Sequence, residues 1–345
     1  MSPSNGKNQS TARTVKNLKT QLLHPGQIEL AAALLRRGEC VAFPTETVYG
    51  LGANAWDEKA VAKIFAAKGR PADNPLIVHC HHQDQLFDLA REWPPEAEAL
   101  MDEFWPGPLT LVLKKKPAVP EIVTGGLDTV ALRFPDHPVA LELLRAAALP
   151  VAAPSANISG RPSPTRAEHV LADLGGKIAA VLDGGPAPGG LESTVLDCSS
   201  LPFRILRPGS VTREMLGDFA PLDIDPEESA QLPSKYRHYT PAASVVLVTG
   251  NDREGEIQRQ IAACREKGLK AAVMAFQDSP YAGVPLLDLG NRSDLREAAA
   301  RLYLLLRQAD EQGYDLVLIE GLAETGLART LMNRLRQAAS QVVQT

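Results

Sequence analysis

The stretch VAFPTETVYGLGANAW, residues 41–56, begins as a buried strand and then changes character. Three apolar residues, Val41 to Phe43, are followed at once by a proline, two threonines, a glutamate and a tyrosine, and then by Gly50 and Gly52. Strand ends collect Pro, Thr and Gly for backbone reasons alone, so a turn that caps the strand is one interpretation. The other is that the hydroxyls and the carboxylate bind a ligand.

The same transition from apolar strand to polar loop occurs twice more. In VAAPSANISGRPSPT, residues 151–165, the strand ends in Ser155 and Asn157, and in DGGPAPGGLESTVLD, residues 183–197, glycines precede Ser193. Glycines permit close backbone approach to a ligand, and ligand sites collect on such loops. The stretch at 183–197 is not a P-loop, because Gly190 stands where the lysine of G-x-x-x-x-G-K-[ST] is required.

Short apolar strands alternate with helical patterns from Pro25 to about Leu216. Many of the strands are separated by turns rather than helices, which predicts an α/β domain with a mixed sheet. Residues 219–242 carry four prolines and an acidic cluster, and they read as a linker. We therefore expect a disordered tail at 1–20, a first domain at 21–218, a linker or lid at 219–242, and a smaller, mainly parallel, Rossmann-like α/β domain at 243–345. G-x-G-x-x-G is absent, so no dinucleotide is assigned.

Composition limits the classes of protein that this chain can be. Lys and Arg number 36 against 41 Asp and Glu, a net charge of −5, so any RNA contact would be local or transient. Four widely spaced cysteines without a C-x-x-C pair indicate a reducing compartment. No apolar run approaches the ~20 residues of a membrane span, and no secretory signal is evident. We expect a cytoplasmic protein without a membrane association. Residues 1–20 contain no acidic side chain, and the alternative to a disordered tail is that they are the remnant of a targeting segment.

Cations at element boundaries point to an anionic ligand. Lys68 and Arg70 follow a helical pattern, where they are either a solvated C-terminal cap or a phosphate clamp. Arg133 and Arg207 lie in or just after apolar strands, and an unpaired buried charge is costly. One such arginine is often a structural ion pair, but the four cations together favour an anion site.

The run VHCHH at 78–82 resembles a metal site at first inspection. Alternation along a strand places His79 and His81 on one side and Cys80 and His82 on the other, so at most two ligands converge. We therefore predict no metal held by protein side chains. His79 alone is a candidate ligand contact, or else an ordinary buried histidine.

Several motifs together resemble the YrdC-type threonylcarbamoyl-adenylate synthases. They are PTETVYGLG, KGRP…NPL, PGPLT, SAN, GGLESTVLD and LRPG, and their order and spacing match throughout residues 21–216. KYRHYTP and LARTLMNRLRQAA further resemble the long, two-domain form of that family. The resemblance implies a YrdC-like twisted mixed-sheet catalytic domain.

The resemblance also implies the reaction. L-threonine, bicarbonate or CO2, and ATP would give threonylcarbamoyl-AMP and pyrophosphate, with Mg2+ carried in by ATP. The product would pass to the machinery that transfers the threonylcarbamoyl group to tRNA. Threonine or its carbamate would be held by Thr47, His79, Arg133 and Ser193. ATP would be held by Arg70, Asn74, Thr129, Ser155, Asn157, Arg207 and Tyr239. Lys68 and Arg70 are the predicted catalytic cations, which would stabilise charge on the phosphates.

Two rival functions and one departure accompany this interpretation. YrdC-like domains also resemble proteins thought to bind double-stranded RNA, and carbamoyl-transfer enzymes that use carbamoyl phosphate resemble this fold within longer chains that carry zinc-finger-like cysteines. The net charge counts against the first rival, and the cysteine spacing counts against the second. In the linker, Pro233 and Ser234 stand where the family usually has a Pro-Gly pair. The run KYRHYTP is either a lid over the nucleotide, through Lys235, Arg237 and Tyr239, or a segment that docks the second domain.

Overall fold

Within the described part of the chain, one β-sheet forms in the N-terminal region and a second in the C-terminal region. The computed structural model describes residues 19–223 and 239–345. The strands of the first sheet are, in chain order, β1 (Gln21–Leu23), β2 (Val41–Phe43), β3 (Gly50–Asn54), β4 (Ile77–His79), β5 (Leu109–Lys114), β6 (Thr129–Arg133), β7 (Val151–Ala152), β8 (Ala180–Leu182), β9 (Thr194–Asp197) and β10 (Arg204–Arg207). Their spatial order is β1-β8-β2-β3-β7-β4-β6-β5-β9-β10. Parallel pairs such as β4 with β6 and antiparallel pairs such as β3 with β7 both occur, which confirms the mixed sheet.

Helices cover both faces of this sheet. They are α1 (Ile28–Arg36), α2 (Glu58–Lys68), α3 (Asp84–Leu89), α4 (Pro95–Phe104), α5 (Glu121–Thr124), α6 (Pro138–Ala147), α7 (Ala167–Leu174) and α8 (Arg213–Gly217). α1 and α6 pack on one face, and α2, α4 and α7 pack on the other. In α1 the buried residues recur at helical spacing, so a single apolar stripe meets the sheet.

The second sheet is entirely parallel. Its strands are β11 (Ser244–Thr249), β12 (Ala271–Ala275), β13 (Leu286–Asp288), β14 (Leu316–Glu320) and β15 (Gln341–Gln344), and its helices are α9 (Arg253–Glu266), α10 (Leu295–Glu311) and α11 (Leu327–Ala338). The strand order is β13-β12-β14-β11-β15, and every neighbouring pair is parallel, which confirms the parallel sheet. β14, the fourth strand of this sheet along the chain, lies between the first two, β11 and β12. The usual doubly wound order keeps the first two strands adjacent. β15 was not predicted, because four residues with two valines carry too little pattern to indicate a strand.

The predicted linker divides into three parts. Residues 219–223 belong to the packing of the first domain, since Phe219 meets Phe104 edge-on at 5.5 Å between ring centroids and the backbone N–H of Asp223 donates to Phe203. Residues 224–238, which include Pro233, Ser234, Lys235 and Arg237, lie outside the described residues, as do residues 1–18 of the predicted tail. At the far end, Tyr239 is buried in the second domain's main hydrophobic cluster.

The two domains share that cluster. Val48 and Leu191 of the first domain pack there beside the apolar faces of α10 and α11. Gly190 makes this approach possible, because a Cβ atom at that position would lie 2.3 Å from the carbonyl oxygen of Ala299 in α10. Across residues 19–223 and 239–345, none of the helices combines the length and the apolar character that a bilayer crossing requires.

Candidate active site

A cavity of about 710 Å³ lies along one face of the first sheet, where alternate residues of β4, β6 and β9 line it, and α11 of the second domain closes part of its wall. All of the predicted ligand-binding residues except Lys68 line this cavity: Thr47, Arg70, Asn74, His79, Thr129, Arg133, Ser155, Asn157, Ser193, Arg207 and Tyr239. Residues from distant parts of the sequence therefore face one space.

The opening sequence stretch forms one end of the cavity. Thr45 and Thr47 place their hydroxyl oxygens 2.8 Å apart, and Thr45 also donates to the carbonyl of Val48, which fixes the turn. The guanidinium of Arg133, at the end of β6, donates to Thr47 Oγ1 over 3.0 Å and lies 2.7 Å from a carboxylate oxygen of Glu46. The polar residues after β2 thus hold a buried arginine at the cavity.

His79 ends β4 beside this arginine. Its side chain is 3% exposed, and its Nδ1 has no hydrogen-bond partner among the described residues. Burial, and then the positive charge of Arg133, lower the pKa of His79 to about 3, so the imidazole is neutral at pH 7. Among the described residues no three His, Cys, Asp or Glu side chains are grouped as metal ligands.

Arg70 and Asn74 form one unit. Gly69 caps the C-terminus of α2 in the left-handed conformation that suits this position. Arg70 follows, and its guanidinium donates to Asn74 Oδ1 over 2.6 Å and to the carbonyl of Pro75 over 2.9 Å. These bonds hold the planar guanidinium of Arg70 in a fixed orientation at the cavity wall.

The structure places Lys68 differently from the sequence prediction. Its side chain is 2% exposed, and its ammonium donates to the carbonyl oxygens of Ser155 and of Asn157, the latter over 2.6 Å. Lys68 therefore lies behind the cavity wall and holds the strand end that carries Ser155 and Asn157. The sequence showed a cation next to Arg70 but could not show which way it points from the last turn of the helix.

Two further pairs complete the wall. Ser155 donates to Asn157 Oδ1 over 2.5 Å, and the amide nitrogen of Asn157 donates to the carbonyl of Ile158 over 2.9 Å. In the second pair, Arg207 donates to the carbonyl oxygen of Ser193 from Nε over 3.1 Å and from Nη2 over 2.8 Å. The Ser193 hydroxyl lies 2.7 Å from that of Thr110.

Sequence reasoning missed the contribution of the second domain. Asn333 and Gln337 on α11 line the cavity. Tyr239 also lines it, and its ring stacks on Tyr303 of α10 at 4.9 Å between centroids. The docking interpretation of the KYRHYTP run therefore holds for Tyr239, without removing this residue from the cavity wall.

Glu192 is the second omission. This carboxylate is buried, and it accepts hydrogen bonds from Ser163, Tyr303 and Arg334 over 2.6, 2.8 and 3.0 Å. Burial raises its pKa, but the charges of Arg334 and Arg207 and the bond from Ser163 outweigh that effect and bring the pKa to about 2. The signal for this site was Arg334, a charge among the apolar positions of α11.

Comparisons with known proteins agree with this geometry. The family model Sua5_yciO_yrdC, described as telomere recombination, matches residues 33–209, and the model Sua5_C, described as threonylcarbamoyl-AMP synthase C-terminal domain, matches residues 211–340. The chain is 48% identical to a threonylcarbamoyl-AMP synthase of Pyrococcus abyssi, over 91% of this chain and 94% of that protein. It is 47% identical to a protein of the same name from Bacillus subtilis, over 91% of this chain and 93% of that protein.

A solved structure extends the likeness to three dimensions. The crystal structure of P. abyssi Sua5 complexed with L-threonine superimposes with a TM-score of 0.87 at 44% identity, over 94% of this chain and 99% of that one. Both family models and both domains of the fold are matched in order along the chain. The chain therefore belongs to the Sua5/YciO/YrdC family and has the two-domain architecture of its Sua5 members.

Proposed function

We propose that this protein makes threonylcarbamoyl-AMP from L-threonine, bicarbonate or CO2, and ATP, with release of pyrophosphate. The observation that carries the proposal is that residues expected to bind threonine and residues expected to bind ATP line one continuous cavity. Relatives at 47–48% identity over most of the chain are named for this product, and P. abyssi Sua5 has been crystallised with L-threonine.

Threonine would bind at the end of the cavity that holds Arg133. This guanidinium is buried and oriented by Thr47 and Glu46, so it offers a fixed positive charge to a carboxylate or carbamate. His79, neutral beside it, adds a polar group without a second charge. Ser193 borders the same space.

ATP would lie toward Arg70 and Arg207, with Asn74, Thr129, Ser155, Asn157 and Tyr239 as the remaining contacts. Arg70 is the residue best placed to stabilise charge on the phosphates, because its guanidinium lines the cavity in a fixed orientation. Lys68 would act by positioning Ser155 and Asn157 rather than by touching phosphate. Mg2+ would enter on the phosphates of ATP, because this hard cation prefers oxygen ligands and is commonly held in part by substrate phosphates.

The chemistry needs no covalent enzyme intermediate. The threonine amine attacks CO2, a C–N bond forms and the nitrogen loses a proton. The carbamate oxygen then attacks the α-phosphorus, and the bond from that phosphorus to the pyrophosphate oxygen breaks. The four cysteines do not line the cavity, and burial raises the pKa of the Cys40 thiol to about 12. Catalysis would thus rest on positioning and on fixed charges.

The product would pass to the machinery that transfers the threonylcarbamoyl group to tRNA, and any contact of this protein with RNA would be brief. We infer that the reaction takes place in the cytoplasm. Four buried, unpaired cysteines support a reducing compartment.

Pyrophosphate release, measured with each substrate omitted in turn, tests the proposal. We expect release only when threonine, bicarbonate and ATP are all present, because the carbamate must form before it can attack. Serine should be turned over less well if the threonine methyl is buried, since one methyl discriminates by roughly 10- to 200-fold. Equal release without any amino acid would overturn the proposal.

A further inference from the structure

Arg334 connects the second domain to one wall of the cavity. Arg334 is 1% exposed and comes from α11, yet its guanidinium reaches two segments of the first domain, one through a side chain and one through a backbone carbonyl. Nε donates to the carboxylate of Glu192 over 3.0 Å, and Nη2 donates to the carbonyl oxygen of Pro208 over 2.8 Å. One side chain therefore binds to both segments.

These two contacts flank the Ser193–Arg207 pair. Glu192 precedes Ser193 in the chain, and Pro208 follows Arg207. Ser193 and Arg207 line the cavity and are joined by the bonds from the guanidinium of Arg207 to the Ser193 carbonyl. A displacement of either flanking residue would move its covalent neighbour, because adjacent Cα atoms are held about 3.8 Å apart.

The remaining contacts of the second domain reinforce the same wall. Tyr303 donates to Glu192 over 2.8 Å, and Thr330, one helical turn before Arg334, donates to the carbonyl of Gly209 over 2.9 Å. The wall would therefore lose its alignment if α10 and α11 moved away.

We propose that Arg334 is a positioning residue for the adenylate-forming site, through which the second domain holds Ser193 and Arg207 in their ligand-binding arrangement. This inference rests on the proposed function. It gives the second domain a task in the reaction besides packing, because a group on α11 would set the geometry of the wall that contacts threonine and ATP. Misplacement by about 1 Å can cost roughly 100-fold in rate, even when the altered residue does not touch the substrate.

The test compares four variants of the full-length chain: Arg334→Met, Arg334→Lys, the double variant Glu192→Leu/Arg334→Met, and the control Arg329→Met. Arg329 lies on the same helix and reaches Glu214 of the first domain at 3.9 Å, but it does not line the main cavity. For each variant, kcat and KM for threonine and for ATP are measured from pyrophosphate release, and thermal unfolding is followed in parallel.

We expect Arg334→Met to lower kcat/KM by about 10- to 100-fold, and Arg329→Met to leave it unchanged. Arg334→Lys should recover part of this loss, because a lysine keeps a charge for Glu192 but lacks the planar fork that also reaches Pro208. The double variant separates positioning from stability. Replacing both members of a buried ion pair by apolar residues commonly restores stability, so its unfolding temperature should recover while kcat/KM stays low.

Recovery of kcat/KM together with stability in the double variant would overturn the inference, since Arg334 would then be only a structural partner for Glu192. Unchanged kcat/KM in Arg334→Met would overturn it as well. The wild-type protein distinguishes this failure from failure of the proposed function, because the wild type would then still release pyrophosphate in a threonine-dependent reaction.

Discussion

Arg133 and Thr47, which are 86 residues apart in the chain, meet through a buried hydrogen bond of 3.0 Å from the guanidinium to the hydroxyl. The same guanidinium lies 2.7 Å from Glu46 and donates to the carbonyl of Gly107 over 3.2 Å. The hydroxyls and the carboxylate that end the first strand stretch therefore have a common task, which is to orient one arginine at the cavity.

Replacement of that arginine by lysine tests this arrangement. Arg133→Lys keeps the positive charge, but one ammonium cannot reproduce the fork that reaches Thr47, Glu46 and Gly107. Loss of a charge-assisted hydrogen bond costs about 1.5 to 3 kcal/mol, so KM for threonine should rise roughly 10- to 100-fold while KM for ATP is unchanged. Threonine titrations of wild type and variant measure this. The exposed Arg166→Lys is the matched control, and an unchanged KM for threonine would contradict the expectation.

Substitutions of Arg70 and of Lys68 should have different effects on activity and stability. Arg70→Ala removes a cavity-lining cation, so turnover should drop by about one to two decades with little change in unfolding temperature. Lys68→Met leaves the carbonyls of Ser155 and Asn157 without their donor, at about 1 to 3 kcal/mol for each buried group. That variant should lose stability as well as activity. Thermal unfolding measured beside turnover separates the two, and a Lys68→Met protein of wild-type stability would argue against the buried role.

The protonation of His79 gives a test that involves no substrate. Burial and the charge of Arg133 place its pKa at about 3, below the ordinary 6.5. The unfolded chain therefore takes up this proton first, and the contribution of His79 to stability is complete above pH 6.5 and diminishes as the pH falls toward 3. The His79 ring signals in an NMR pH titration should stay those of a neutral imidazole down to about pH 4. A midpoint near pH 6.5 would show that the ring is solvated.

Substitution of two glycines in one loop distinguishes the cost of backbone strain from the cost of disturbing the contact between the domains. Gly185 and Gly190 both have positive φ, 85° and 68°, but a Cβ atom at Gly185 would meet nothing within 4 Å, whereas one at Gly190 would collide with Ala299 and Ala300 of α10. Gly185→Ala should cost only the left-handed backbone conformation, about 1 to 2 kcal/mol. Gly190→Ala should cost about 1 to 3 kcal/mol more, because α10 must move. Chemical unfolding curves of the two variants give their free energies of unfolding. Equal losses of stability would mean that α10 moves aside without an energetic cost.

Much of the fold follows from local pattern. Apolar runs bounded by Gly and Pro identify most strands, and the stripe of α1 identifies the face it buries, because both depend on neighbours along the chain. The orientation of Lys68, the docking of Arg334 on Glu192 and the short strand β15 do not follow. The first two depend on which segments meet after folding, and the third on an edge that β11 offers. Residue types revealed the chemistry of the candidate site, but not which cation stands behind its wall.

The pairing of β1 with β8 has a consequence for how the chain folds. Thr20 donates to the carbonyl of Ile178, 158 residues further on, and Glu192 meets Arg334 across 142 residues. Contacts of such long separation require closure of large loops before they contribute any energy, and chains rich in them fold slowly. Helices and local hairpins can form early, but the bonds from α11 to the cavity wall cannot form until α11 has docked. On refolding from denaturant, helical signal should therefore return before turnover does, and the interval between them measures how long these distant contacts take to form.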